Sequence, residues 1–222
     1  MILSERLKRI AEKVKYSTVC DIGADHGYLL IYLAQKGKLT KGAACDVNPG
    51  PLSRAEENIK KEQLEKIIET KLGDGLSPIV GELFESCVIA GMGGKLITDI
   101  LSAEIKTAKK FKQVLLSPQR DCDEVRRFLC SEGFDIIDED IVFDSGKCYN
   151  IIDCRVGEGS SASQYTTEAD FMFGKRLIEK RHEGLKIYLE NEIDKVEKIL
   201  KKHDSEKMGT YLNQCREVYQ WL

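Results

Sequence analysis

The sequence predicts a doubly wound α/β sheet that ends in an antiparallel hairpin and is followed by a helical hairpin. Three observations predict it. Through residue 130, short apolar and β-branched runs alternate with helix-periodic segments, the pattern of a parallel sheet with crossover helices. Two strand-like runs then follow each other directly across a four-residue turn, which makes a hairpin and not a crossover. From residue 165 onward no strand signal remains.

Each element has its own reason. Residues 4–14 place Leu7, Ile10, Ala11 and Val14 at helical spacing behind Ser4, a suitable N-cap. Strands are expected at 17–22, 42–47, 67–72, 87–90 and 114–116, with helices at 27–36, 52–61, 95–101 and 121–130. The hairpin is expected from 134–143 and 148–156, joined by Asp144-Ser145-Gly146-Lys147. The stretch 157–164 (GEGSSASQ) is small and polar, hence a linker. This divides the chain into a sheet domain over 1–158 and a coiled-coil-like helical hairpin over 165–222. In the latter, 167–203 reads as one long helix with Leu185, Leu189, Ile193, Val196 and Leu200 as its stripe. Asp204 and Ser205 would stop it and cap a second helix over 206–221.

Bulk properties exclude several classes. A chain of 222 residues, 42% of them apolar, holds one substantial domain and a small appendage. The formal charge of −3 and pI near 5.8 provide no global basic field, so any nucleic-acid contact must come from local patches. No apolar run approaches the roughly 20 residues of a membrane helix, so no membrane association is expected. The N-terminus alternates charge with Leu and Ile, unlike a signal peptide. None of the eight cysteines forms a C-x-x-C pair, which argues for reduced, buried thiols and against a metal site.

The strongest motif is Asp21-Ile22-Gly23-Ala24-Asp25-His26-Gly27, after the first strand and opening a helix. Gly23 and Gly27 allow a tight turn and close approach of the backbone to a ligand. The spacing is D-x-G-x-x-x-G, not the G-x-G-x-x-G of dinucleotide enzymes. That favours S-adenosylmethionine over NAD, with Asp21 available to the aminoacid part of the cofactor. Asp46, followed by Val47, ends the second strand, where an acid can accept both ribose hydroxyls; the alternative is an N-cap or a turn acid. Asp74, between Gly73 and Gly75, can take an adenine amine, although D-G is also ordinary turn chemistry. Three acids ending three successive strands is more specific than any one of them.

After the fourth strand comes Ala90-Gly91-Met92-Gly93-Gly94-Lys95. An Asn/Asp-Pro-Pro-aromatic motif, which many exocyclic-amine methyltransferases carry here, is missing. The backbone of Gly91, Met92 and Gly93 could instead hold a base edge, or could be a packing turn. Asp25 and His26 lie beside the expected cofactor and are candidates for orienting the reactants. Tyr149, with Asn150, follows the hairpin turn and could stack on a base or pack in the sheet. Lys175, Arg176, Lys180 and Arg181 cluster early in the tail, and Lys195, Lys198, Lys201 and Lys202 cluster near its turn. Basic stripes are possible there although residues 160–222 carry eleven Lys and Arg against eleven Asp and Glu.

A doubly wound sheet with an antiparallel hairpin edge is the arrangement of class I methyltransferases. More specifically, the chain resembles the bacterial tRNA (adenine-N1)-methyltransferases that modify position 22 of tRNA. The resemblance rests on Leu3-Ser4-x-Arg6-Leu7, on Asp21-Ile22-Gly23-x-Asp25-His26, on Gly91-Met92-Gly93-Gly94 and on the two-helix tail. One departure is Ser117-Pro118-Gln119, where the family usually has Gln-Pro-Asn. The resemblance implies a methyl donor, S-adenosylmethionine, a tRNA partner and a cytoplasmic setting. Neutral adenine N1 already carries a lone pair, so no catalytic base is expected. Asp25, His26 and residues 91–94 would align the reactants. Lys175, Arg176, Lys180 and Tyr149 would contact tRNA. Alternatives are a class I methyltransferase for another RNA or a small molecule, a non-catalytic cofactor-binding protein, or an NAD-dependent reductase. The acid set opposes the binding protein and the D-x-G-x-x-x-G spacing opposes the reductase.

Overall fold

We describe residues 3–157, 165–203 and 205–222 in a computed structural model of the chain. β1 (Thr18–Ile22) lies between β2 (Lys41–Asp46) and β4 (Ser86–Ala90), and β3 (Ile68–Leu72) extends the sheet beyond β2. β5 (Gln113–Ser117) follows β4, and all five of these strands are parallel. β7 (Lys147–Val156) then pairs antiparallel with β5 and with β6 (Phe134–Asp144), so the sheet order is β3-β2-β1-β4-β5-β7-β6. The chain reverses its direction of travel across the sheet between β3 and β4. That switch opens a crevice at the carboxyl ends of β1 and β4, where such sheets bind ligands.

Strand alternation feeds two separate cores. Cys20, Ile22, Cys87, Ile89, Val114 and Leu116 face α4 (Gly94–Ala103) and α6 (Cys122–Ser131), meeting Ile97, Leu101, Val125 and Leu129. Val19, Ala44, Val88 and Leu115 face the other way. They meet Ile10 of α1 (Glu5–Lys13), Leu29 and Leu30 of α2 (Tyr28–Gln35) and Ala55 of α3 (Pro49–Lys61). Each fully buried Leu or Ile contributes about 1.5–3 kcal/mol on this accounting. A short helix, α5 (Ile105–Ala108), precedes β5. Ser4 caps α1 as expected, its Oγ accepting the Leu7 N–H at 3.3 Å.

The tail departs from the expected single helix over 167–203. It opens with a wide π turn, Asp170–Gly174, followed by α7 (Lys175–Glu179), a break, and α8 (Glu183–Leu200). The first irregularity has a tertiary cause. The buried Arg126 guanidinium donates to the carbonyls of Phe171 and Met172, and the Arg176 N–H donates to Glu139 Oε2, so these groups are drawn out of the regular ladder. The second comes from Arg181, at φ 48°, and His182, whose Nδ1 accepts the Gly184 N–H at 3.0 Å and starts α8 afresh. Downstream the stripe holds: Leu185, Leu189 and Val196 are buried, together with Leu212, Cys215 and Val218 of α9 (Glu206–Trp221). Ser205 caps α9 through the Met208 N–H. The expected linker falls largely on 158–164, outside the described residues.

Candidate active site

The carboxyl ends of β1 to β4 enclose a cleft of about 270 Å³, lined by Gly23, Asp46, Val47, Asp74, Gly75, Ala90, Gly91 and Met92 among others. The sequence motifs name each of these residues separately; the crossovers bring them together. Asp46 is buried at the tip of β2, and its Oδ1 accepts the Asn48 N–H at 2.8 Å. This orients the carboxylate toward the cleft. Asp74 stands exposed on the opposite wall, two residues past β3, where the Gly73 N–H is tied to the Asp46 carbonyl at 3.1 Å. Leu96 and Ile100 of α4 supply an apolar side. Gly23 sits at φ 74°, where any side chain is strained, and a Cβ there would fall 2.2 Å from the Met92 methyl and displace it. Its N–H and that of Ala24 both donate to the Cys45 carbonyl, which locks the first loop onto β2.

Asp21 is buried at the end of β1, and no hydrogen bond or ion pair reaches its carboxylate among the described residues. Burial pushes this carboxyl up to about 7; Arg6 pulls against the shift and Asp46 adds to it. Asp25 and His26 lie on the rim of a smaller neighbouring cavity. Asp25 pairs with Arg54 at 3.3 Å and approaches His26 Nε2 at 3.4 Å, and the His26 ring stacks on Tyr28.

The loop after β4 is less open than its glycines suggest. The Gly91 N–H donates to the Ser117 carbonyl, the Gly94 N–H to the Arg120 carbonyl, and the Gln119 N–H to the Met92 carbonyl. Much of its backbone is thus engaged in holding it to the loop after β5. Tyr149 is half-buried in β7, and one face of its ring is covered by the Arg6 guanidinium, 4.8 Å from the centroid.

The early basic cluster of the tail is not brought to the cleft. Arg176 donates through Nε to the Ile136 carbonyl and through Nη1 to Glu179. Lys180 bonds Asp138 and the Glu139 carbonyl. Lys175 opens α7 beside them. Two features escape sequence reasoning. One is Arg6, which stands inside a recognisable string but has no partner visible in the sequence. The other is the buried Arg126–Glu139 pair at 2.6 Å, which also receives the Tyr165 hydroxyl at 2.7 Å.

Acids at the ends of β1 and β2, a third after β3, and a glycine-bound crevice fit a nucleoside with a charged aminoacid arm. A pyrophosphate would meet carboxylates there. The fold and the cleft define a class I methyltransferase that uses S-adenosylmethionine. Consistently, a methyltransferase-domain family model matches residues 3–152. The tRNA (adenine(22)-N(1))-methyltransferase of Bacillus subtilis (strain 168) is 34% identical over 161 residues, 72% of this chain and 68% of that protein. The crystal structure of the B. subtilis m1A22 tRNA methyltransferase TrmK aligns at 28% identity and TM-score 0.81, over 99% of this chain and 97% of that one. M. capricolum TrmK, in complex with the cofactor product S-adenosyl-homocysteine, aligns at 27% identity and TM-score 0.86, over 100% and 99%. The chain belongs to the tRNA (adenine(22)-N(1))-methyltransferase family.

Proposed function

We propose that this protein transfers a methyl group to N1 of adenine 22 in tRNA. The observation that carries the reading is the convergence of Asp46 and Asp74 with Gly91 and Met92 on one cleft, with Asp21 in the cavity that adjoins it at Gly23 and Ala90, and no Asn/Asp-Pro-Pro-aromatic motif to seat an exocyclic amine. S-adenosylmethionine, when bound, supplies the electrophilic methyl carbon. Asp46 would hold the ribose hydroxyls, Asp74 the adenine amine, and Gly23, Val47, Gly75 and Ala90 the shape of the cleft; Gly27, at φ 69°, lines no part of it and instead turns the chain into α2 against Ala55. The N1 lone pair of a neutral adenine needs no deprotonation, so the protein's contribution is alignment and exclusion of water. Asp25, His26 and residues 91–93 would orient the base, and the Asp25 carboxylate, now paired with Arg54, would offset the positive charge that the ring acquires. N1 lies on the Watson–Crick edge, so a paired target must first be unpaired or flipped out.

We read 1–158 as the methyltransferase domain and 165–222 as a helical domain that serves tRNA. Among the described residues no helix is long and apolar enough to cross a membrane; a tRNA substrate supports a cytoplasmic setting. The test is incubation with unmodified bulk tRNA and a labelled methyl donor, followed by nucleoside mass spectrometry. The expected product is 1-methyladenosine, with reverse transcriptase stalling at one position. Label found only in the N6-methyl nucleoside, under conditions that avoid rearrangement, would overturn the assignment.

A further inference from the structure

A second cavity, of about 370 Å³, stands back to back with the cofactor cleft. Met92 lines the cleft and Gln119 lines the cavity, and the Gln119 N–H donates to the Met92 carbonyl at 2.8 Å. Only the loops after β4 and β5 therefore separate the two spaces. The glycines of the first loop permit this closeness. A Cβ on Gly94 would fall 2.9 Å from the Arg120 carbonyl oxygen, and one on Gly93 would fall 3.1 Å from Arg120 Nε. The Arg120 side chain thus passes over Gly93, beside the lip between cleft and cavity.

We propose that this cavity receives the base of a nucleotide adjoining the target adenosine, with Arg120 on the phosphate that links the two. The inference rests on the tRNA reading above. A target presented through its Watson–Crick edge leaves its pair, and a strand with that base in the cleft carries a neighbour across the two loops. The walls that meet it come from both parts of the chain: Gln119 and Asn150 from the sheet domain, Tyr188 of α8 and Tyr211 of α9 from the tail. Aromatic surface with amide groups suits an unstacked base, which needs a π face to lie on and partners for its edge. The volume is within the range of small-ligand pockets, roughly 300–1,000 Å³. Asn150 is already oriented, because its Oδ1 accepts from Arg126 Nη2 at 3.2 Å, which leaves its amide N–H groups to donate to a ligand. Asp121 and Asp123 on the same wall would repel a phosphate, so the base enters and the backbone stays outside. Arg120 meets that backbone at the mouth. Its side chain is 80% exposed, and among the described residues its one ion-pair partner is Asp121, at 3.5 Å.

The test uses tRNA assembled by ligation, intact or with an abasic residue directly 5′ or directly 3′ of the target adenosine. Methyl transfer is measured with the full chain, Tyr188→Leu, Tyr188→Phe, Gln119→Ala, Arg120→Gln and Arg120→Lys. One of the two abasic substrates should raise KM by roughly five- to a hundredfold, the range for stacking one base on an aromatic side chain. Tyr188→Leu should raise KM for intact tRNA and add little on that abasic substrate, while Tyr188→Phe keeps the affinity. Gln119→Ala, on an exposed loop, carries the same comparison if Tyr188→Leu proves unstable. Arg120→Gln should lower the slope of log KM against log salt by roughly 0.7–0.9, the loss of one phosphate contact, and Arg120→Lys should retain most of the slope. Unchanged S-adenosylhomocysteine affinity is the folding control. If neither abasic substrate raises KM, or if the variant and abasic losses simply add, the cavity holds no base and the proposal is overturned. An unaltered slope in Arg120→Gln removes Arg120 from the phosphate. If the full chain bound S-adenosylhomocysteine but methylated no intact tRNA, the tRNA reading itself would fail, which is a distinct result.

Discussion

At the cofactor edge, Asp21, Asp46 and Asp74 each stand within two residues of the end of their own strand. At the outer edge, the tail is held by Arg126 of α6 and Glu139 of β6, and the same guanidinium reaches a carbonyl 46 residues further along the chain. The first region is assembled from local βα turns, each with its own glycine and acid. The second is assembled from one buried ion pair that recruits Asn150, the Tyr165 hydroxyl and backbone groups of residues 171, 172 and 176. Local construction distributes the function over several modest contacts. Non-local construction concentrates it in one desolvated pair, which is intolerant of losing either member.

The largest expected effect follows directly. Glu139→Leu leaves the Arg126 guanidinium, 1% exposed, without its carboxylate. Denaturant unfolding should show a loss of about 3–5 kcal/mol. Adding Arg126→Met should restore part of it, since two apolar groups of similar size need no partner, while the Phe171 and Met172 carbonyls, Asn150, the Tyr165 hydroxyl and the Arg176 N–H still lose theirs. Cofactor affinity of the variant that remains folded should be unchanged, since neither residue touches the cleft. A loss under about 1 kcal/mol, or a parallel fall in cofactor affinity, would erase the distinction between the two regions.

The same distinction explains what can be read from sequence alone. The parallel sheet with its hairpin edge and the acids at the strand ends follow from alternation, turn residues and the position of each acid, whereas the strand order and the division into two cores come from the structure. The tail's irregular start cannot be read that way. Phe171, Phe173, Leu177 and Ile178 continue a helical apolar pattern into α8, and nothing local announces that Arg126 and Glu139 claim the backbone between them. Gly174 is the one trace in the sequence: at φ 90°, a Cβ would fall 2.7 Å from Glu139 Oε2, so the pair requires a glycine there. Arg6 is equally hidden, because its neighbours Tyr149, Gly91 and Asp144 lie 85 or more positions away.

A second prediction sharpens the cofactor side through pH. The Asp21 carboxyl is raised in the folded protein to about 7 from 3.8. A raised acid keeps its proton in the folded state where the unfolded chain has released it. Its contribution to stability therefore falls as pH rises from about 4 to about 7, and is constant above. Asp21→Asn should stabilise the ligand-free protein at pH 8, by on the order of 2–4 kcal/mol, with the advantage shrinking toward zero at pH 4. If Asp21 takes the ammonium of the aminoacid arm, saturating S-adenosylhomocysteine should reverse the ranking at pH 8. A thermal-unfolding series across pH with parallel curves for the two proteins would remove Asp21's burial as a design feature of the site.

The smallest effect separates the two basic clusters of the tail. Arg176 and Lys180 are engaged with β6, so Lys180→Gln should cost up to about 1 kcal/mol of stability, the range for a partly exposed pair, and leave the salt dependence of tRNA binding alone. Lys198, Lys201 and Lys202 are exposed at the far end of α8, and no ion pair engages them among the described residues. Removing a cation from one phosphate lowers the slope of log K against log salt by roughly 0.7–0.9, so replacing all three with Gln should make the slope shallower by about two if most of them touch phosphate. The melting temperature should not move. Filter binding of tRNA at several salt concentrations reads the slope directly. If the triple variant kept the full slope, the far end of the tail would not touch RNA, and the helices would serve packing or self-association. If Lys180→Gln flattened the slope instead, the roles of the two clusters would be exchanged.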